Sequence, residues 1–174
     1  MIEDDKYSNI AEYYDYMLTK NPDREKFFGD IFQRYEVKSI LDCACGTGND
    51  LILFDSLGYN ITGSDISESM LNVAQEKITK YGANVPLKKA DFHHLNDNFA
   101  QKFDAVVCLS NAINESDVDV IDALKKMKSI LNREGIIILT KVRPISLCKT
   151  HLLIFLKSMI KIYPDCTPWI MLMT

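Results

Sequence analysis

The sequence predicts an α/β fold: a doubly wound, mostly parallel sheet with helices on both faces. Three observations carry that expectation. Short apolar runs of strand length alternate with segments of helical periodicity along most of the 174 residues. Ser39 to Asp50, reading S-I-L-D-C-A-C-G-T-G-N-D, has the order strand, tight glycine turn, helix. Acidic residues then close three successive strands, at Asp42, Asp65 and Asp91.

Taken in order, Asn21-Pro22-Asp23 opens a helix whose apolar stripe is Phe27, Phe28, Ile31 and Phe32. Val37 to Cys43 is the first buried strand. The helix after the glycine turn runs through Phe54 and stops at Gly58, a residue suited to the left-handed C-terminal position. Asn60 to Gly63 is a short second strand ending near Asp65. Ser67 caps a helix carrying Met70, Leu71, Ala74 and Ile78, which ends at Tyr81-Gly82. Val85 to Lys89 is the third strand, and Phe103 to Leu109 the fourth, apolar throughout like a strand covered on both faces. Ser116-Asp117 opens a helix through Leu131, and Gly135 to Thr140 is the fifth strand. Helical crossovers between five strands make the sheet parallel and Rossmann-like. The chain reads as a single domain: 1–36 an N-terminal helical cap, 37–140 a ligand-binding core, and 141–174 a tail of different character.

Composition narrows the function. Hydrophobic residues make up 47% and charged residues 25%, as in ordinary globular proteins, and the net charge of −4 argues against nucleic acid as a partner. The acidic N-terminus does not read as a signal peptide. Five irregularly spaced cysteines suit reduced thiols in a cytoplasm, and Cys43-x-Cys45 lacks the second pair a zinc site would need, so no metal is expected.

A strand-turn-helix junction offers backbone N–H groups to a ligand, and glycines at alternate positions let that ligand approach. An acid about 20 residues beyond such a turn is the expected partner of a ribose diol. Asp65 lies 19 residues after Gly46. A dinucleotide site would want a third small residue where Leu51 stands, so a pyrophosphate is poorly served. Small residues instead fall at Ala44, Gly46 and Gly48, with Asp42 in front. This pattern resembles the class I S-adenosylmethionine-dependent methyltransferases from about Tyr13 to Thr140. The resemblance implies S-adenosylmethionine as cofactor. Its aminoacyl part would be held by the turn with Asp42, Ala44, Gly46 and Gly48, and its ribose by Asp65. Ile66 would lie against adenine, with Asp91 on the adenine amino group and Phe92 beside it. Ala44 stands where many members have glycine.

The strings L-D-C-A-C-G-T-G-N-D, S-D-I-S-E-S-M-L and V-C-L-S-N-A-I-N are similar to the glycine and sarcosine N-methyltransferases. That likeness implies methyl transfer to a small-molecule acceptor, at an amine nitrogen. Met70 and Leu109 would join the cofactor site, and Lys20 or Arg24 would place a cation over it. Tyr13, Tyr14 and Asn111 would have catalytic roles, unless the N-terminal tyrosines only pack a helix. Ser110 occupies a position where the family usually has glycine. A sulfonium is already a good electrophile, so alignment of the nucleophile carries most of the work. His93-His94 reads as surface, and the Lys125-Lys126-x-Lys128 cluster as a solvated helix face.

The tail departs from the family. Those enzymes continue after the fifth strand with a helix and an antiparallel hairpin, whereas here the hairpin reads as missing or altered. Leu152 to Leu156 is apolar but interrupted by Lys157 and Lys161, too short for a membrane span. Strand edges left bare there would be compensated by a homodimer or by partial disorder. The alternative to an enzyme is a domain that binds the cofactor without turnover, as a partner subunit or remnant.

Overall fold

The computed structural model describes residues 5–17, 23–110, 112–115, 118–140, 160–163 and 170–173. Two compact units result, Met1–Asp91 and Phe92–Thr174. In the first, a 3-10 helix (Ala11–Met17) precedes α1 (Arg24–Arg34), β1 (Ser39–Asp42), α2 (Asn49–Ser56), β2 (Asn60–Asp65), α3 (Glu68–Tyr81) and β3 (Leu87–Lys89). β2 is central: it pairs parallel with β1, Ile40 opposite Ile61, and parallel with β3, Ser64 opposite Lys88.

Of the apolar stripe expected on α1, Phe28, Ile31 and Phe32 are buried and Phe27 is half-buried. Phe28 and Phe32 both meet Phe54 of α2, with ring centroids 5.0 and 5.1 Å apart, and Phe32 also meets Tyr59 at 5.0 Å. Edge-to-face rings of this kind lock α1 and α2 together. Gly63 in β2 lies flush with its neighbours. A Cβ there would come within 2.6 Å of Leu51 Cδ1, 2.8 Å of Leu87 Cδ2 and 3.1 Å of Cys45 Sγ, so only glycine lets α2 and the turn sit this close to the sheet. α3 starts as expected, the Met70 amide donating to Ser67 Oγ at 3.1 Å, and ends at Gly82 with φ +67°.

The second unit holds a 3-10 turn (Phe92–His94), α4 (Leu95–Asn98), β4 (Phe103–Cys108), α5 (Ala112–Glu115), α6 (Val120–Ser129), β5 (Leu131–Thr140), β6 (Ile160–Tyr163) and β7 (Ile170–Met173). β4 and β5 are parallel; β7 runs antiparallel to β5 and to β6, giving the order β4-β5-β7-β6. After β5 the described residues hold β6 and β7, two strands of four residues each, so the C-terminal hairpin takes the altered form the sequence predicts. Two boundaries also move. β5 begins at Leu131 rather than Gly135, because Leu131 already pairs with Phe103 before the register shifts and Ile136 pairs with Ala105. α6 begins after Asp119, whose Oδ1 accepts from the amides of Ile121 and Asp122 at 2.8 and 3.1 Å. An aspartate satisfying two open amides is a strong helix start. The rest of the tail, with Cys148, His151 and Cys166, lies outside the described residues.

Candidate functional site

The site is built at the C-terminal ends of β1 and β2, where an open α/β sheet leaves its crevice. Gly46 and Gly48 both adopt left-handed conformations, φ +51° and +79°, which turns the chain sharply from β1 into α2. A Cβ on Gly46 would meet nothing within 4 Å, so open space lies over the turn. A Cβ on Gly48 would stand 3.1 Å from Ala74 Cβ; this glycine lets α3 pack against the turn.

The turn is held from several sides. The Gly46 amide donates to Asp65 Oδ2 at 2.8 Å, and the Cys45 amide donates to the Ser64 carbonyl at 2.9 Å. Asp65 Oδ1 accepts from the Ser67 amide at 2.9 Å, so one carboxylate spans the turn and the start of α3. Burial raises the Asp65 carboxyl above its ordinary value, against the backbone amides of Ser67, Gly46 and Ile66 that favour its charge. Ile66 beside it is 56% exposed, an unusual state for an isoleucine at the mouth of a crevice. The Asp65 carbonyl accepts from the Ala90 amide at 3.0 Å, which brings the half-buried Asp91 to the same end of the sheet.

Asp42 is 1% exposed, and its Oδ1 accepts from the Ala44 amide at 3.4 Å. Burial first, and the negative charges of Asp50 and Asp65, push its carboxyl well above the ordinary value; the Ala44 amide and Arg24 pull the other way. A buried acid in that condition favours the approach of a cation. Arg24 does not lie loose over the turn: its Nε and a terminal nitrogen donate to the two carboxylate oxygens of Asp50, each at 2.7 Å, while its guanidinium covers Phe28 at 5.1 Å. Met70, in the first turn of α3 beside the Ser67 cap, is buried.

Among the N-terminal tyrosines, Tyr13 is 63% exposed and Tyr14 makes an edge contact with Tyr7, centroids 6.5 Å apart. Lys20 and Asn111 lie outside the described residues. In the second unit, Phe92 is buried at the start of the 3-10 turn, and Leu109 is buried directly after β4. Ser110, the residue in a glycine position, has φ +55° and is exposed. His93 Nδ1 lies 3.2 Å from Asp122 Oδ2 on a half-exposed surface. Among the described residues no group of three or more His, Cys, Asp or Glu side chains is arranged to hold a metal ion, and no helix is long and apolar enough to cross a membrane.

Two groups of residues escaped sequence reasoning. Asp15 accepts from Thr47 Oγ1 at 2.5 Å and Asn49 Nδ2 at 2.8 Å, and pairs with Lys77 Nζ at 2.5 Å. Asp5 Oδ2 accepts from Ser67 Oγ at 3.0 Å and the Ser69 amide at 2.9 Å. Burial would raise the Asp5 carboxyl, but these bonds and one from the Tyr7 amide outweigh it and hold it at about 2. No local spacing announces partners 32 to 64 positions away.

Residues 40–135, more than half of the chain and parts of both units, match the methyltransferase domain family. The chain belongs to that family. YqeM of Bacillus subtilis (strain 168), a methyltransferase by inference, is 32% identical over 134 residues, 76% of this chain and 53% of that protein. A glycine/sarcosine N-methyltransferase of Aphanothece halophytica is 27% identical over 147 residues, 79% of this chain and 56% of that one. This methyltransferase-family chain thus spans about half the length of these curated relatives. A solved S-adenosylmethionine-dependent methyltransferase from Clostridium acetobutylicum superposes with a TM-score of 0.66 at 23% identity, covering 91% of this chain and 65% of that one. The fold is accordingly the Rossmann-like fold of S-adenosylmethionine-dependent methyltransferases, as the sequence predicts.

Proposed function

We propose that this methyltransferase domain moves a methyl group from S-adenosylmethionine to the amine nitrogen of a small molecule of the glycine or sarcosine kind. The observation that carries the reading is the Gly46–Asp65 pairing beneath open space, with a buried acid on one side and an exposed isoleucine on the other. Each part fits one piece of the cofactor. Asp42 suits the ammonium of its amino-acid end. The Asp65 oxygens accept from the Gly46 and Ser67 amides, and a carboxylate offers about four lone-pair sites, which leaves capacity for a ribose hydroxyl. Ile66 offers an apolar face to a purine.

When bound, S-adenosylmethionine supplies a methyl carbon already activated by a positive sulfur. The chain's own residues have to orient and desolvate. Fixing a nucleophile in line is worth roughly 7–11 kcal/mol in favourable cases, which leaves little need for a strong base. A neutral amine attacks with its own lone pair and loses its proton afterwards. Tyr13 and Tyr14 would turn ring faces and phenolic oxygens towards the developing positive charge. Aspartates at the strand ends and a net charge of −4 suit a cationic or zwitterionic small molecule, not a polyanion.

Calorimetric titration with S-adenosylmethionine and S-adenosylhomocysteine tests the first step. Release of S-adenosylhomocysteine in the presence of glycine, sarcosine and a panel of other amines tests the second. The reading expects binding of both nucleosides and turnover with at least one small amine. Binding without turnover on any amine would leave a cofactor-binding domain without catalysis, and no binding would remove the reading altogether.

A further inference from the structure

The Asp15 cluster carries more than a packing role. Its four members form a closed circuit: Lys77 Nζ donates to Asp15 Oδ2 and, at 2.7 Å, to Asn49 Oδ1, while Asn49 Nδ2 and Thr47 Oγ1 donate to Asp15 Oδ1. Thr47 is buried and the Lys77 side chain is 14% exposed, while the Asp15 side chain is 39% exposed and Asn49 lies at the surface, so the circuit runs from the protein interior to its rim. Burial works against the charge of Asp15, yet the bonds from Lys77, Thr47 and Asn49 prevail and set its carboxyl below the ordinary value. Such charge-assisted bonds are about twice as strong as neutral ones.

Position gives the circuit its meaning. Asp65 grips the glycine turn at Gly46, from the β2 side. Asp15 grips the same turn at Thr47 and Asn49, from the N-terminal segment, and ties both to the third turn of α3. Asp5 fastens the other end of that segment to Ser67 and Ser69 at the head of α3. Residues 5–17 are therefore a strap with a carboxylate buckle at each end, and both buckles close on elements that frame the open space over Gly46. The 3-10 helix that carries Asp15 also presents Tyr13, the residue with a proposed role at the methyl group.

We infer that Asp15 is a positioning residue: by clamping Thr47 and Asn49 it fixes the glycine turn and couples closure of the 5–17 strap to retention of the nucleoside. The inference rests on the proposed function only for the identity of the nucleoside; the clamp itself can be tested without it.

Hydrogen exchange of the unliganded protein decides the clamp. Asp15→Ala is expected to speed exchange of the Gly46 and Gly48 amides at least tenfold, together with the amides of 11–17, because hydrogen bonds to a charged group hold the turn. Unchanged exchange at Gly46 and Gly48, with only the strap loosened, would overturn it. Titration with S-adenosylhomocysteine decides retention. Asp15→Ala should raise the dissociation constant roughly tenfold or more through faster release, Asp15→Asn should do so less, and bound nucleoside should slow exchange of 11–17 in the wild type alone. Wild-type release rates in folded Asp15→Ala would overturn the coupling. If that variant loses its cooperative melt, Asp15→Asn and Lys77→Met, each removing the ion pair while leaving hydrogen-bonding or packing atoms, give the same readings. If the wild-type protein binds no S-adenosylhomocysteine, the cofactor reading and the coupling fall together, and the exchange experiment still decides the clamp.

Discussion

Gly46 and Asp65 are joined by a 2.8 Å hydrogen bond from the glycine amide to a carboxylate 19 residues away, so the ribose candidate is also the support of the turn. A side chain that can both bind a ligand and hold the binding loop makes the two effects inseparable by simple deletion.

Asp65→Ala strips the acceptor from two amides, those of Gly46 and Ser67. An unsatisfied buried donor costs about 1–3 kcal/mol, offset in part here by removing a carboxylate that burial disfavours. The variant should melt several degrees lower, at about 2–4 °C per kcal/mol for a chain of this size, and lose S-adenosylhomocysteine affinity by about a hundredfold or more. Thermal melts and calorimetry read the two effects. Wild-type affinity in the folded variant would count against the ribose role.

Asp42 behaves in the opposite sense. Its carboxyl is raised by burial, so the native state keeps the proton to higher pH than the unfolded chain does. Stability from this group is full below the unfolded value and falls as pH rises through the folded one. Asp42→Asn should therefore melt higher than the wild type at pH 7 and equally at pH 3, while binding the nucleoside about tenfold more weakly for want of a partner for the ammonium. Equal melting temperatures at both pH values would remove this account.

Substitutions of two glycines separate backbone strain from obstruction. Gly46 and Gly82 both have positive φ, +51° and +67°, and a Cβ on either meets nothing within 4 Å. Alanine at each should cost about 1–2 kcal/mol of stability, the penalty of an L-residue in the left-handed region. Only Gly46→Ala should abolish nucleoside binding, since its methyl group would fill the space over the turn. Matching affinities in calorimetry for the two variants would place the ligand elsewhere.

Ser110 follows β4 in the same left-handed region. Ser110→Gly should gain up to about 1 kcal/mol, relief of strain outweighing the added chain entropy. Melting temperature reports the gain.

The fold was legible where local chemistry decides. The apolar run into Asp42, the glycines after it, the Ser67 cap and the Gly82 stop each act within four residues, and all lie where the sequence puts them. Legibility failed where tertiary pairing overrode local preference. The sequence places the start of β5 at Gly135, yet Asn132, Arg133 and Glu134 extend it, with Asn132 Nδ2 donating to Asp104 Oδ1 at 2.6 Å. Asp119 took the start of α6 from the Ser116-Asp117 pair because its carboxylate reaches two amides. The strap was invisible for another reason: Asp5 and Asp15 look like any surface acids, and only the fold brings Ser67 or Lys77 to them.

The glycine in the middle of β2 has a mechanical consequence. Leu51, in the first full turn of α2, rests against the bare backbone of Gly63, so the seating depth of that helix is set by a missing side chain. One methyl group there would lift α2 like a shim, and the error would be delivered straight to the loop at its head. Tolerances at a point buried beneath the crevice thus govern its shape, and a laboratory search for altered nucleoside selectivity has reason to begin below the floor rather than along the rim.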